Sequence, residues 1–260
     1  MKLVMLLRIF LKKIEKKLSK SKFLPIAGLC ERIWKKSANS YSSHAEDLII
    51  EGIFSRHKLV TGEKIRFSYL DIGAWRPIRG SNTYKFYRNG TYGTVVEPNP
   101  NIKNLWKSIR PKDQYIESAC SQKKIVKLYE FSDFAASNTL NLKFAKFIMK
   151  MQNLPKPSNI KVTGMKLQEI IEIHLKQYPG RFILDIDIEG EDEDVILNHK
   201  FTDVARPLII LVEDHFKNGI HKSRISNHLH RNDFILVGRS VLTSFFIDAK
   251  STLINSQIAI

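Results

Sequence analysis

Short apolar runs alternate along most of the chain with stretches whose apolar positions recur every three or four residues. The first pattern suits strands buried on both faces, the second helices that bury one side. Strands are predicted at 67–72, 93–97, 115–119, 161–163, 182–188 and 208–212, with an alternating extra strand at 124–131. Helices are predicted at 81–89, 100–109, 140–151, 167–175, 192–198 and 219–230. Residues 153–159 (NLPKPSN) form a proline-broken loop, and 234–237 with 243–247 suggest a terminal β pair. Strands alternating with helices imply parallel β-α-β units, hence an α/β protein.

The first turn of the chain reads differently. Leu3, Leu6, Leu7, Phe10, Ile14 and Leu18 share one helical face, and Lys12, Lys13, Lys16, Lys17 and Lys20 fall mainly elsewhere. Such a basic amphipathic helix suits an anionic membrane surface, or packs on its own domain with a solvated lysine face. Arg8, Lys12 and Lys13 interrupt the apolar stretch a secretory signal needs. The division expected is therefore an N-terminal helical segment at 1–40 and one domain at 41–260.

Charge sharpens that division. Lysine and arginine number 42 against 26 acids, a formal net charge of +16. Eleven of those cations and only two acids lie in the first 40 residues. A balance this basic suggests nucleic acid, an anionic surface or an anionic substrate; its concentration outside the strand–helix region argues against nucleic acid as the partner. The two cysteines, Cys30 and Cys120, cannot staple a fold this large and show no zinc-ligand spacing. The setting expected is cytoplasmic, at the inner face of a membrane touched peripherally by residues 1–20. No run approaches the roughly 18 to 20 apolar residues of a membrane span.

In an open parallel sheet, ligands bind beyond the C-terminal strand ends where the strand order switches. Those ends carry Asp71, Gly73, Glu97, Asp187, Glu189, Glu213 and His215. Gly73 permits a tight turn and close approach of backbone to a ligand. Glu97, closing the second strand, suits a bidentate bond to two ribose hydroxyls. The glycine-rich phosphate cradle is missing, since Ala74, Trp75, Arg76 and Pro77 follow Gly73. A ribose-bearing ligand without phosphate fits better, and S-adenosylmethionine is the common one.

Several blocks together resemble the FkbM family of methyltransferases. They are Tyr41-Ser42-Ser43-His44-Ala45-Glu46-Asp47-Leu48, Tyr69-Leu70-Asp71-Ile72-Gly73-Ala74, Gly80-Ser81-Asn82-Thr83-Tyr84, Val96-Glu97-Pro98-Asn99-Pro100 and Asp185-Ile186-Asp187-Ile188-Glu189-Gly190. Asp185 stands where family members often carry Lys, and Trp75 departs from the usual pattern after Ala74. The resemblance implies a class I methyltransferase fold: a Rossmann-like α/β sheet, mostly parallel with an antiparallel C-terminal strand, flanked by helices. It implies S-adenosylmethionine as cofactor and O-methylation of a hydroxyl on a sugar, glycan or glycolipid precursor, as in polysaccharide biosynthesis.

On that reading Asp71, Gly73 and Ala74 line the methionine end. Glu97 and Pro98 face the ribose, and Asn99, Ser118 and Ala119 the adenine. Ser81 and Asn82 either meet the cofactor's carboxylate or cap the next helix. Asp187 and Glu189 reach the methyl-transfer point as candidate bases, Asp187 also touching the cofactor, with His215 a rival because imidazole titrates near neutrality. The two carboxylates could instead ligate a divalent cation, although no metal is predicted. His221, His228 and His230 match no metal motif. Arg76, Arg79 and Lys85 could meet an anionic acceptor, and 129–157 would form a substrate lid. A nucleic-acid methyltransferase and a non-catalytic protein keeping the fold are the alternatives.

Overall fold

The protein is described here from a computed structural model covering residues 40–214 and 223–258. The amphipathic segment at 1–20, Cys30, His215 and His221 lie outside the described residues.

The elements run α1 (Glu46–Thr61), β1 (Ser68–Ile72), α2 (Tyr84–Arg88), β2 (Gly93–Val96), a 3-10 turn (Pro100–Ile102), α3 (Lys103–Ile109), β3 (Gln114–Ile116), β4 (Ala119–Cys120) and β5 (Ile125–Glu130). Then follow α4 (Leu142–Gln152), β6 (Ser158–Met165), α5 (Leu167–Gln177), β7 (Phe182–Ile186), α6 (Asp192–Leu197), β8 (Ile209–Glu213), α7 (Arg224–Arg231), β9 (Phe234–Arg239), β10 (Thr243–Asp248) and α8 (Thr252–Ile258). Seven strands form one sheet in the order β3-β2-β1-β7-β8-β10-β9. The first five are parallel, and β10 pairs antiparallel with both β8 and β9. This is the Rossmann-like α/β sheet with an antiparallel end that the family resemblance implied.

Both faces of the central strands are covered, which is why they read as unbroken apolar runs. On one face Leu70, Ile72, Leu184, Ile186, Ile210 and Val212 pack with Ile170 and Ile171 of α5, Ile196 of α6 and Leu229 of α7. On the other, Tyr69, Val95, Ile183, Ile209 and Leu211 meet Ile50 and Ile53 of α1, Trp106 of α3 and Leu253 of α8. One buried histidine shows how the core accommodates polar groups, by pairing both ring nitrogens. His174 bonds Ser68 at 3.0 Å and Thr94 at 2.9 Å, and burial lowers its pKa to about 4.

Several boundaries differ from the sequence pattern. The predicted strand at 115–119 is two strands in different sheets, because the chain turns at Ser118, whose N–H donates to Ile116 O at 3.1 Å. The strand expected at 161–163 extends over Ser158–Met165, since six of its residues pair with β5. With β4 it makes a second, three-stranded sheet, β4-β6-β5. Two helices, α1 and α8, were not predicted; they pack against each other and cover one sheet face.

Candidate functional site

The strand order reverses direction between β1 and β7, and there the two chains nearly touch. Gly73 follows β1 with φ of 84°, and its N–H donates to Val96 O at 2.9 Å. A Cβ on Gly73 would lie 1.8 Å from the Asp187 carbonyl oxygen. No side chain fits, so glycine is required both by the left-handed backbone and by the approach of β7.

Beyond Gly73 the chain turns at Trp75, a non-glycine residue at φ of 42°. Three bonds over-determine that conformation. Trp75 N–H donates to Glu97 Oε2 at 2.9 Å, its carbonyl accepts from Trp106 Nε1 at 2.8 Å, and its indole donates to Phe134 O at 3.2 Å. Glu97 Oε1 accepts from Asn99 N–H at 2.8 Å. Each carboxylate oxygen therefore holds one backbone donor and keeps acceptor capacity. Burial pushes the Glu97 pKa up to about 7.

These residues wall an open pocket of about 540 Å³, a figure that counts the solvent at its mouth. Of the predicted residues, Gly73, Glu97, Pro98, Asn99, Ser118, Ala119, Asp187 and Glu189 line it. Trp75, Cys120, Leu128, Asn138 and Thr139 line it too and were not assigned there. Only the turn-rich run Ala136-Ser137-Asn138-Thr139 hinted at a loop able to reach the strand ends. Asn99 also caps the 3-10 turn through Asn101 N–H at 3.0 Å, and its amide donates to Asp133 O at 2.8 Å.

Asp71, Ala74, Ser81 and Asn82 are not among the lining residues. Ala74 packs into the core beside Trp106. Ser81 Oγ accepts from Thr83 N–H and Tyr84 N–H, the capping role, and takes a bond from Arg110 at 3.1 Å. Asp71 accepts from Thr83 Oγ1 at 2.6 Å, and Thr83 in turn accepts from Arg110 at 3.0 Å. Arg110, fully buried, closes the network on Asp113 at 2.6 Å and Tyr69 at 2.9 Å. Asn82 bonds the carboxyl of Asp185, whose Oδ1 has no partner. This layer supports the pocket floor from beneath.

The Tyr41–Leu48 block also has a structural task. Asp47 accepts from Ser40, Ser42 and the Tyr41 N–H, while Tyr41 O accepts from Gly80 N–H at 2.8 Å. Glu46 takes bonds from Ser240 and Thr243, tying α1 to the far end of the sheet.

The acidic loop after β7 forms the remaining wall. Glu189 and Gly190 are both left-handed, at φ of 52° and 98°. Asp192, at the start of α6, braces the turn by accepting from Ile188 N–H at 3.1 Å and Gly190 N–H at 3.2 Å. From the other side, Thr139 Oγ1 donates to Glu189 O at 2.7 Å and Asn141 to Gly190 O at 3.1 Å. The stretch 129–157, expected as a lid, thus holds the acidic loop directly. Burial pushes the Asp187 pKa well up, with Glu213 and Glu189 adding to it. Glu189 is raised by burial and Glu213 to about 8, and Glu213 itself by burial and Asp192 to about 7. A row of carboxyls with raised proton affinities holds protons there, and any member that is ionised can accept one. Among the described residues, no His, Cys, Asp and Glu group has the arrangement to hold a metal ion.

A comparison with protein families matches residues 71–236 to the model described as the methyltransferase FkbM domain. No curated protein and no solved structure matches the chain.

Proposed function

The chain belongs to the FkbM methyltransferase family, and from that premise we propose that it uses S-adenosylmethionine to O-methylate a hydroxyl of a sugar, glycan or glycolipid precursor. The observation that carries the cofactor is Glu97. Its two oxygens sit at the end of β2, each anchored by one backbone N–H and each with acceptor capacity towards the pocket. Two such acceptors side by side complement the two O–H donors of a vicinal diol. Gly73, admitting no side chain, lets backbone reach the same ligand, and the pocket has no glycine cradle for a phosphate. The residues present therefore fit the cofactor.

Bound there, the cofactor supplies an electrophilic methyl group on a sulfonium. The protein's part is to align the acceptor oxygen and receive its proton. Asp187 and Glu189 line the pocket wall opposite Glu97's strand. Their raised pKa values make them stronger bases than exposed carboxylates, which suits the weak acidity of a sugar hydroxyl. His215, the rival base, lies outside the described residues. Ser118 and Ala119 line the same pocket and suit the adenine edge.

The acceptor class rests on the family resemblance; Asn138 and Thr139 of the lid line the pocket, but their side chains bond Phe131, Ser132, Asn141 and Glu189. Contact of residues 1–20 with a membrane would bring a lipid-linked acceptor near. No helix among the described residues is long and apolar enough to cross a membrane. Calorimetry with S-adenosylhomocysteine tests the cofactor: binding by the wild type and its loss in Glu97→Ala are expected. Methyl transfer from labelled cofactor to a panel of glycans and glycolipids tests the acceptor. Labelling confined to nucleic acid or protein would overturn that half.

A further inference from the structure

The outer face of α4 has no role in the pocket. Between Asp133 and Glu169 the chain carries six lysines and no acid. Three of them, Lys143, Lys146 and Lys150, are exposed on α4, and at 100° per residue they share one side of the helix. Along one edge of that side stand Phe147, 55 % exposed, and Met151, 67 % exposed, one helical turn apart. Leu142, also exposed, borders the other edge. None of these lysines forms an ion pair among the described residues. The antiparallel β5–β6 pair that flanks α4 in the chain adds charge, because it sets Lys127 directly opposite Lys161 and both are exposed. Like charges facing each other across a ladder oppose folding, a cost that a negatively charged surface outside would offset.

We propose that α4 docks on an anionic lipid bilayer, with Phe147 and Met151 entering the headgroup boundary and the lysines facing lipid phosphates. Lone lysines would suit any polyanion. Large apolar side chains held exposed among them distinguish a surface that is charged outside and apolar beneath. The inner face of the same helix reaches the acidic loop. Phe144 packs on Gly190, near enough that a Cβ there would meet its ring at 3.2 Å, and Phe144 and Phe147 are ring neighbours at 6.3 Å. Docking through α4 would therefore set the lid, and with it the pocket mouth, against the membrane. Only that consequence rests on the methyltransferase reading; the binding itself is measurable without cofactor or acceptor.

The test uses the full chain and sedimentation with vesicles of phosphatidylcholine, alone or with about one third phosphatidylglycerol, where each lysine near the surface counts for roughly fivefold in partitioning at low salt. Binding is expected only to the anionic vesicles. It should fall at least tenfold both in the triple variant Lys143→Gln, Lys146→Gln, Lys150→Gln and in the double variant Phe147→Ser, Met151→Ser. Unchanged melting temperatures confirm that these exposed substitutions leave the fold intact. A Phe147→Trp chain should show emission moving to shorter wavelength on adding anionic vesicles, measured against the wild-type background. Undiminished binding by both variants would assign membrane contact to residues 1–20 alone and overturn the proposal. So would no vesicle binding, equal binding to uncharged vesicles, or an unmoved Trp emission.

Discussion

Glu97 permits the sharpest test, because its ionisation and its ligand are coupled. Its carboxyl titrates at about 7 in the ligand-free pocket, raised chiefly by burial. A diol donates hydrogen bonds, so it favours the ionised form. Binding should therefore tighten as pH rises through 7 and level off above it. At pH 6, one unit below that value, only about a tenth of the population is ionised, so Kd for S-adenosylhomocysteine should be about tenfold weaker than on the plateau. Glu97→Gln removes the charge and turns an amide towards one of two backbone N–H groups, Trp75 or Asn99. Losing charge-assisted character in two diol bonds costs about 2–4 kcal/mol, roughly thirty- to a thousandfold in Kd. Calorimetry between pH 6 and 8.5 reads both effects. A wild-type Kd independent of pH, together with a Gln variant within threefold of it, would refute the assignment of Glu97 to the ribose.

Gly73→Ala would meet the Asp187 carbonyl and force alanine into positive φ; overpacking and left-handed backbone together cost about 2–5 kcal/mol, visible as a fall in melting temperature, and an unchanged melt would show that the β1–β7 approach is looser than described. Asp187→Asn and Glu189→Gln should leave S-adenosylhomocysteine binding within severalfold, and whichever removes the base should lower turnover about 10²–10⁴-fold; full turnover in both would leave the proton to another group. Arg110→Met breaks a buried pair and leaves Asp113 without its cation, held only by Tyr69 and the Gly93 N–H, for about 3–5 kcal/mol of stability read by thermal melting, and a loss no larger than that of an exposed arginine would contradict the network. Glu97 and Glu213 titrate at about 7 and Glu189 at about 8, all above unfolded values near 4.5. The native state then holds more protons than the unfolded chain, so stability should fall as pH rises from about 7 to 8.5, a window above both the folded values near 4 of buried His174 and His199 and their unfolded value of 6.5. A melting temperature that climbs across this window would contradict the burial of those acids.

The central sheet was legible because burial on both faces leaves its mark as continuous apolar runs, and the strand ends could be located from where those runs stop. The helices α1 and α8 were not. The first includes buried Glu46, Asp47 and His57, so its inward face carries polar residues that blur the helical period; the second buries Ser256 beside Leu253 and Ile254. Local pattern also could not tell which of two sheets Ala119 joins, since that depends on pairing with Gly164, far along the chain. In the site, Gly73, Glu97, Asp187 and Glu189 stood out as unusual residue types at strand ends. Asp71 shared that signature and yet faces Thr83 beneath the pocket. Alternation along β1 decides this, for Tyr69 and Asp71 point to the Arg110 side and Ile72 to the opposite core. Trp75, which departs from the family pattern, proved to be held by three bonds at the pocket wall.

The acids around the pocket also explain why the protein tolerates them. Buried Asp185 and half-buried Asp187, Glu189 and Glu213 stand near one another, and each raises a neighbour's pKa or has its own raised. Like charge packed this closely and desolvated is costly, and the protein offsets that cost by keeping protons on some of these groups. A positively charged ligand does the same without the proton. Its arrival would convert protonated acids to carboxylates, so the pocket favours a cation such as a sulfonium over its neutral product. The same ionisation readies Asp187 or Glu189 to receive the acceptor's proton only once the cationic cofactor is in place. Binding of S-adenosylmethionine should accordingly release more protons than binding of neutral-sulfur S-adenosylhomocysteine, a difference that calorimetry in buffers of unlike ionisation enthalpy measures. Equal proton release for the two ligands would mean that the acids answer to the acceptor, or to each other, and not to the sulfonium.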